Sequence, residues 1–240
     1  MGTLLLIHGF PLDHRIWKEV TRRLPASIEV VAPDLPGCGA TPLPPATVTM
    51  DEYSRHLLRL MDGRGTRKFF VAGHSMGGYI LFAMLRQAPE RIAGGALVSS
   101  RAMADNDEGR KAREAVAQRA EKEGAGFLVG TMPEKAVGNE PPPGVLETMR
   151  AVIGDSTAAG VAAMARAMAA RPDATPQLGS IRCPMVVFAG RQDKIVPPAE
   201  SEAMAKGIPG AKLVWCERSG HVPMLEEPDL VARELAALVK

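Results

Sequence analysis

Short apolar runs and helix-like stretches alternate along most of this 240-residue chain, and this alternation limits its possible folds more than any other feature. Such an order is typical of a parallel sheet that helices cover on both faces. Most of the runs are apolar throughout, as expected for strands that are buried on both faces. The six predicted strands are Leu4–His8, Ile28–Ala32, Phe69–Ala72, Gly95–Ser99, Met185–Ala189 and Lys212–Cys216. The sequence therefore predicts an α/β protein with a mostly parallel sheet of about six strands.

Helical spacing of apolar residues marks five stretches between these strands. They are Trp17–Leu24, Met50–Met61, Gly77–Arg86, Ala199–Lys206 and Asp229–Val239. The alternation stops between residues 103 and 178, where strand signals vanish and Ala, Met, Arg and Glu dominate. We interpret this part as an inserted helical cap, in which residues 133–144 form a loop between two pairs of helices because Pro and Gly end helices. The prediction divides the chain into a core, 1–102 and 179–240, and a cap, 103–178.

Charge and composition exclude several classes of function. The chain has 29 Lys plus Arg against 27 Asp plus Glu, with two tryptophans, two tyrosines and six phenylalanines, so it lacks the basic, aromatic face of a nucleic-acid binder. Cys38, Cys183 and Cys216 are widely spaced and form no CxxC pair, which argues against a zinc site and a disulfide framework. Without a basic leader or an apolar run near the ~18 residues that a membrane span requires, we expect a cytoplasmic protein.

The motif GHSMGG, at residues 73–78, carries the strongest chemical signal. It lies between an apolar run and a helical stretch, where GxSxG makes a tight strand-to-helix turn that presents its serine at the edge of the sheet in a strained conformation. The flanking glycines allow the close packing that this turn needs. The alternative is that Ser75 only caps the helix. The strand, the helix and the glycine pair together favour Ser75 as a nucleophile.

A serine hydroxyl becomes a good nucleophile when a base takes its proton, and that base is held by a third group. Asp193 follows the fifth predicted strand in GRQDKIVP, and His221 follows the sixth in ERSGHVPMLEEP. Because the carboxyl ends of parallel strands open on one side of a sheet, we expect these loops to meet beside Ser75. The order Ser, Asp, His is also the one expected for a hydrolase with a strained serine turn.

The other four histidines are weaker candidates for the base. His8 and His74 lie inside glycine-rich turns, so we interpret them as residues that brace the backbone. His56 falls on an amphipathic helix, where a surface or structural role is more common. His14 is close enough to the first turn to touch a substrate, but we find no acidic residue at a strand end to pair with it.

Three aspartates compete with Asp193 for the role of the acid. Asp34, in PDLPGCG, is typical of a carboxylate that braces a turn. Asp105 and Asp107 lie just past the fourth predicted strand and stay open as alternatives.

An oxyanion hole requires preorganised donors, and backbone amides can supply them. One predicted donor is the amide of Met76, directly after the nucleophile. The other is the amide of Phe10, in the HGF turn that follows the first strand. The alternative for HGF is a plain turn.

The segments HGFPLDHRIW, APDLPGCG, GHSMGG, GRQDKIVP and SGHVPMLEEP occur in this order, and with them the chain resembles the α/β-hydrolase superfamily over nearly its full length. Within it, the chain is most similar to small carboxylesterases, enol-lactone hydrolases and the cofactor-free haloperoxidase or perhydrolase group, the last through Pro11 after HGF. The resemblance implies an α/β-hydrolase fold, Ser75, Asp193 and His221 as triad, Phe10 and Met76 as oxyanion amides, and no cofactor or metal. A serine nucleophile argues against a dehalogenase or an epoxide hydrolase.

The expected function is that of a carboxylesterase-type serine hydrolase, which cleaves small-molecule esters of short to medium acyl chain through an acyl-enzyme intermediate. Ile195, Val222 and Met224 neighbour the catalytic turns and are expected to line an apolar cleft. The alternatives are a lactonase, a perhydrolase, or a receptor-like protein that binds its ligand and turns it over slowly. We expect a monomer or a weak homodimer, without a nucleic-acid or membrane partner.

One departure from the family concerns the first strand. Members usually carry one or two strands before it, whereas here only three residues precede it. The run 28–33 is therefore expected at the edge of the sheet. Glu29 and Pro33 are residues that keep an edge from pairing with another chain, so we predict a protected edge.

Overall fold

A parallel six-stranded sheet forms the centre of the protein in the computed structural model, which describes residues 2–45 and 48–240. Its strands follow the order β2-β1-β3-β4-β5-β6, and every neighbouring pair is parallel. The strands are β1 (Gly2–Ile7), β2 (Ile28–Val31), β3 (Phe69–His74), β4 (Ile92–Val98), β5 (Met185–Gly190) and β6 (Lys212–Cys216). The predicted sheet is confirmed, and its strand boundaries shift by three residues at most.

The four central strands of the sheet are buried on both faces, as the continuous apolar runs predicted, whereas the edge strands β2 and β6 are partly exposed. Residues 4–7 of β1 are all 0% exposed, and every residue of β5 is buried. Helices supply the cover: α1 (Lys18–Thr21), α2 (Met50–Gly63), α3 (Met76–Gln87), α4 (Asp107–Glu123), α5 (Met132–Ala136), α6 (Val145–Gly154), α7 (Ala158–Ala169), α8 (Pro198–Gly207), α9 (Pro223–Glu226) and α10 (Pro228–Leu238). Nowhere in the described ranges is a helix long and apolar enough to cross a membrane.

Four of these helices, α4 to α7, lie between β4 and β5 in the chain, which confirms the predicted helical cap. The exact limits at 103 and 178 stay a prediction. The cap contacts the core closely: a Cβ on Gly160 of α7 would collide with the carbonyl oxygen of Gly37, and Ser156 donates to the carbonyl oxygen of Pro11 at 2.8 Å. Met164 of α7 packs against Cys38, with 3.4 Å between the sulfur atoms. The cap is thus seated on the turns that follow β1 and β2.

Two helix predictions were wrong in extent. Within the predicted helix 17–24, only the four residues of α1 are α-helical. Trp17 instead ends a 3-10 turn, His14–Trp17, that precedes α1. Pro25 disfavours a helical conformation in the residue before it, so the helix cannot continue. In the cap, residues 133–136 belong to α5 rather than to a loop, because Pro133 sits in the first turn, where its missing N–H is not needed.

Strand β2 lies at one edge of the described sheet and pairs with β1, as expected. It has only four residues. Glu29 accepts a hydrogen bond from Thr3 at 2.9 Å and forms an ion pair with Arg64 at 2.6 Å. These contacts place a paired charge on the edge strand. That this charge keeps the edge from pairing with another chain stays a prediction.

Candidate active site

Ser75 occupies the turn between β3 and α3 with φ of 49° and ψ of −109°. A positive φ is uncommon for a residue with a side chain and is stable only where the surroundings hold it. Here the Ser75 N–H donates to the carbonyl oxygen of Val98 at 2.8 Å, and the Ser100 hydroxyl and the Gly78 N–H donate to the Ser75 carbonyl oxygen, each at 2.9 Å. The structure therefore shows the strained turn that the motif predicted.

The glycines of this motif permit close approach. A Cβ on Gly73 would collide with the carbonyl oxygen of Gly77, and a Cβ on Gly77 would lie 2.5 Å from the carbonyl oxygen of Ile7. Helix α3 therefore starts directly against the end of β1. This packing brings the turn after β1 next to the residue that follows Ser75.

Asp193 and His221 meet as predicted. Nδ1 of His221 donates to Oδ2 of Asp193 at 2.8 Å, and the two side chains are only 3% and 2% exposed. The other carboxylate oxygen of Asp193 accepts from the N–H groups of Ile195 and Val196, at 2.8 and 2.9 Å, which fixes the orientation of the carboxylate. With Nδ1 protonated, Nε2 of a neutral imidazole is an acceptor. The structure therefore brings Asp193 and His221 together, and the role of His221 as the base for Ser75 stays a prediction.

His74 connects the His221 loop to the serine turn. Its Nε2 donates to the carbonyl oxygen of His221 at 2.9 Å, and the two ring centroids are 5.0 Å apart. Burial lowers the pKa of His74 well below the usual value, and the nearby His221 lowers it further. His74 is therefore a neutral brace directly before Ser75, which confirms its predicted backbone role.

The two predicted oxyanion donors, Phe10 and Met76, belong to turns that pack against each other. A Cβ on Gly9 would be 2.6 Å from Nδ1 of His74, so the turn that carries Phe10 presses on the serine turn. In the described part of the chain, neither the Phe10 N–H nor the Met76 N–H donates to a protein acceptor. Both amides thus keep a free donor near Ser75, and their role as an oxyanion hole stays a prediction.

The predicted cleft residues differ in exposure. Ile195 is half-buried, whereas Val222 and Met224 are 0% exposed, Val222 directly before α9 and Met224 within it. Their contact with a substrate stays a prediction.

The alternative acids are engaged elsewhere. Asp105 forms buried ion pairs with Arg171 at 2.9 Å and with Arg113 at 3.2 Å. Asp107, whose side chain is 86% exposed, pairs with Arg110. Neither carboxylate contacts His221, which pairs with Asp193.

A second His–Asp pair corrects the interpretation of His14. We expected no acidic residue at a strand end for it, but Asp34 follows β2 and accepts from Nδ1 of His14 at 2.7 Å. Oδ1 of Asp34 also accepts from the His14 N–H at 3.0 Å, and Oδ2 accepts from the Ala40 N–H at 3.3 Å. Asp34 is therefore the turn brace that the sequence predicted. His8 braces the same turn through Nε2, which accepts from the Leu35 N–H at 3.0 Å.

Asp13, His14 and Asp34 bring possible metal-ligand atoms within 4.8 Å of one another. The Arg15 guanidinium, however, donates to both carboxylate oxygens of Asp13, at 2.6 Å for the shortest contact. Since Arg15 already neutralises this carboxylate, the cluster fits a bracing ion pair better than a cation site.

Sequence reasoning missed Glu226, a carboxylate that is 4% exposed and lies five residues after His221. Its Oε1 accepts from the Gly138 N–H of the cap at 2.7 Å, and its Oε2 accepts from the Gly220 N–H at 2.8 Å. Burial raises the pKa of Glu226 to about 6, against the opposing effect of these hydrogen bonds. The signal that could have revealed it is a carboxylate directly after the apolar stretch VPML, residues 222–225.

Comparisons with known proteins agree with this geometry. Residues 4–234 match the family described as "Alpha/beta hydrolase family". A pimeloyl-[acyl-carrier protein] methyl ester esterase of Legionella pneumophila is 26% identical over 250 residues, which cover 99% of this chain and 95% of that protein.

Solved structures show the same fold. A malate-bound thermophilic esterase from Thermogutta terrifontis superimposes with a TM-score of 0.96 at 37% identity, covering 100% of this chain and 91% of that one. The enol-lactonase from Burkholderia xenovorans LB400 has a TM-score of 0.90 at 24% identity, covering 99% and 90%, a likeness in fold alone. The predicted α/β-hydrolase fold with its cap is confirmed.

Proposed function

Because the chain belongs to the alpha/beta hydrolase family, we propose that it is a serine esterase that hydrolyses small carboxylic esters of short to medium acyl chain. One observation carries the proposal: Ser75 stands at positive φ directly after His74, which donates to the backbone of His221, and Nδ1 of His221 donates to a buried aspartate. The similarity to the Thermogutta terrifontis esterase supports the same reaction.

In the proposed first step, Nε2 of His221 takes the proton of the Ser75 hydroxyl as Oγ attacks the ester carbonyl carbon. The carbonyl π electrons move to oxygen, and the Phe10 and Met76 N–H groups donate to the oxyanion. Each such donor contributes on the order of 3 kcal/mol of transition-state stabilisation. Collapse of the intermediate breaks the ester C–O bond, and the imidazolium returns its proton to the leaving alcohol.

In the second step, His221 takes a proton from water as the water oxygen attacks the acyl carbon on Ser75. The acyl C–Oγ bond then breaks, the imidazolium returns the proton to Ser75 Oγ, and the carboxylic acid leaves. Asp193 keeps the proton on Nδ1 and stabilises the imidazolium that forms in each step. Ile195, Val222 and Met224 are apolar neighbours of these loops, which favours neutral acyl chains over charged ones.

A panel of p-nitrophenyl esters with graded acyl chains tests this function. We expect the native protein to turn over short and medium esters and Ser75→Ala to lower kcat by at least about 10⁴-fold. The matched control is Ser180→Ala, which removes an exposed hydroxyl that donates only to Gln177 and should keep native activity.

Turnover that survives Ser75→Ala contradicts the proposed nucleophile. Tight ester binding with negligible turnover by the native protein would instead indicate the receptor-like alternative.

A further inference from the structure

One short segment of the cap, residues 136–139, which we call the cap latch, contacts both loops of the catalytic pair. The His221 N–H donates to the carbonyl oxygen of Ala136 at 2.6 Å. The Asn139 N–H donates to Oε1 of Gln192, the residue before the predicted acid, at 2.6 Å. The cap is therefore hydrogen-bonded to the backbone of the predicted base itself.

The carboxylate of Glu226 lies between the cap latch and the histidine loop. It accepts the N–H of Gly138 on one oxygen and the N–H of Gly220 on the other. The surrounding backbones leave no room for side chains: a Cβ on Gly220 would lie 2.5 Å from the carbonyl carbon of Val137, and a Cβ on Gly138 would lie 2.5 Å from the carbonyl oxygen of Arg218. Two chain segments far apart in sequence thus share one buried acceptor.

We propose that Glu226 is a positioning residue, whose ionised carboxylate joins the cap latch to Gly220 and so holds His221 in place for proton transfer. The proposal rests on the proposed esterase function. Glu226 contacts neither substrate nor reacting atoms and acts through the backbone on either side of it.

Two buried N–H donors need two acceptors, and only an ionised carboxylate offers both without a donor of its own. A protonated glutamate, or a glutamine, turns one donor toward an N–H and leaves that N–H unpaired, which is costly in a buried position. Glutamine is therefore a permanent mimic of the protonated side chain.

The charge on Glu226 responds to pH because its surroundings disfavour ionisation. Glu226 has no ion-pair partner among the described residues. Burial raises its pKa to about 6, and the charge of Glu227 on its carboxyl side raises it further. The other titratable groups nearby are Glu217, Cys216 and His221 in the adjoining loop. The pKa of the Cys216 thiol is itself raised by burial and by the charges of Glu217, Glu226 and Glu227. The bridge is therefore expected to be complete well above pH 6 and to be lost progressively as the pH falls through that value.

The test compares native protein, Glu226→Gln and the control Glu217→Gln in kcat and KM from pH 5 to pH 8. Glu217 is an exposed carboxylate that pairs with Arg191, so its variant should behave as native. For Glu226→Gln, we expect kcat at pH 8 to fall about 10- to 100-fold, the cost of a displaced catalytic group, with KM little changed. The ratio of native to variant kcat should fall about 5- to 10-fold between pH 8 and pH 5, because only about a tenth of native Glu226 stays ionised one unit below a pKa of about 6.

A native kcat for Glu226→Gln at pH 8, or a ratio that stays constant across this range, overturns the proposal. If Glu226→Gln does not fold, Glu226→Asp is measured instead: it keeps the charge, cannot reach both N–H groups and should lower kcat at pH 8 to a similar extent, so native kcat again overturns the proposal. Ester turnover that survives Ser75→Ala contradicts the proposed function. If Ser75→Ala loses turnover but the Glu226 variants keep native kcat, only the positioning role of Glu226 is contradicted.

Discussion

Among the residues that the structure describes, two histidine–aspartate pairs lie at the carboxyl edge of the same sheet, and one of them is joined to the serine turn through His74. The hydrogen bonds are nearly equal in length, 2.8 Å for His221–Asp193 and 2.7 Å for His14–Asp34. Their exposure differs: 3% and 2% for the first pair, 51% and 10% for the second.

Neighbours explain the difference in role. His221 is tied through its backbone to His74, which directly precedes Ser75, and burial strengthens the hydrogen bond to Asp193 because water does not compete for it. His14 instead directs both its ring and its N–H to a single oxygen of Asp34, which closes a local turn. We therefore expect the His221–Asp193 pair to be the catalytic one, because its histidine belongs to the loop that contacts the serine turn.

Asp193→Asn should produce the largest difference between the two pairs. An asparagine can present its amide to Nδ1 and so favour the wrong tautomer, which removes Nε2 as an acceptor and should lower kcat by about 10⁴-fold. Ester hydrolysis with circular dichroism as a check of folding measures this. Asp34→Asn is the matched control and should retain kcat close to that of the native protein; equal losses in both variants would contradict the assignment.

Asp34→Asn should have a smaller effect, on stability rather than on turnover. Burial alone would raise the pKa of Asp34, but its hydrogen bonds to His14 outweigh burial and lower it below the usual value of 3.8. A carboxylate with a lowered pKa stabilises the fold above its unfolded pKa, and this contribution is lost as the pH falls through the folded value. We expect Asp34→Asn to lower the free energy of unfolding at pH 7 by about 1.5–3 kcal/mol, the contribution of charged hydrogen bonds.

Thermal melting at pH 7 and at a pH well below the usual value of 3.8 distinguishes this role from simple packing. The difference in Tm between native protein and Asp34→Asn should shrink at the lower pH, where native Asp34 gains its proton. A difference that is constant with pH would show that the charge is irrelevant.

Local patterns predicted the sheet, the strained serine turn and the His221–Asp193 pair, because the residues of each lie in short segments that can be recognised in the sequence. Strands buried on both faces must be apolar throughout, and GxSxG needs its glycines at fixed positions. The His14–Asp34 pair was not predicted, although its residues are closer in sequence, 20 positions apart against 28, because no motif marks the segment of His14 as a partner of Asp34. The burial of Glu226 was not predicted for a similar reason, because it depends on how the cap packs against the core.

The most direct test of the central claim is covalent labelling with a reactive organophosphate, followed by mass spectrometry of the peptides, in native protein, His221→Gln and His14→Gln. We predict that the label resides on Ser75, forms at the native rate in His14→Gln and forms slower by orders of magnitude in His221→Gln. Labelling of another residue, or a native rate in His221→Gln, would contradict the account.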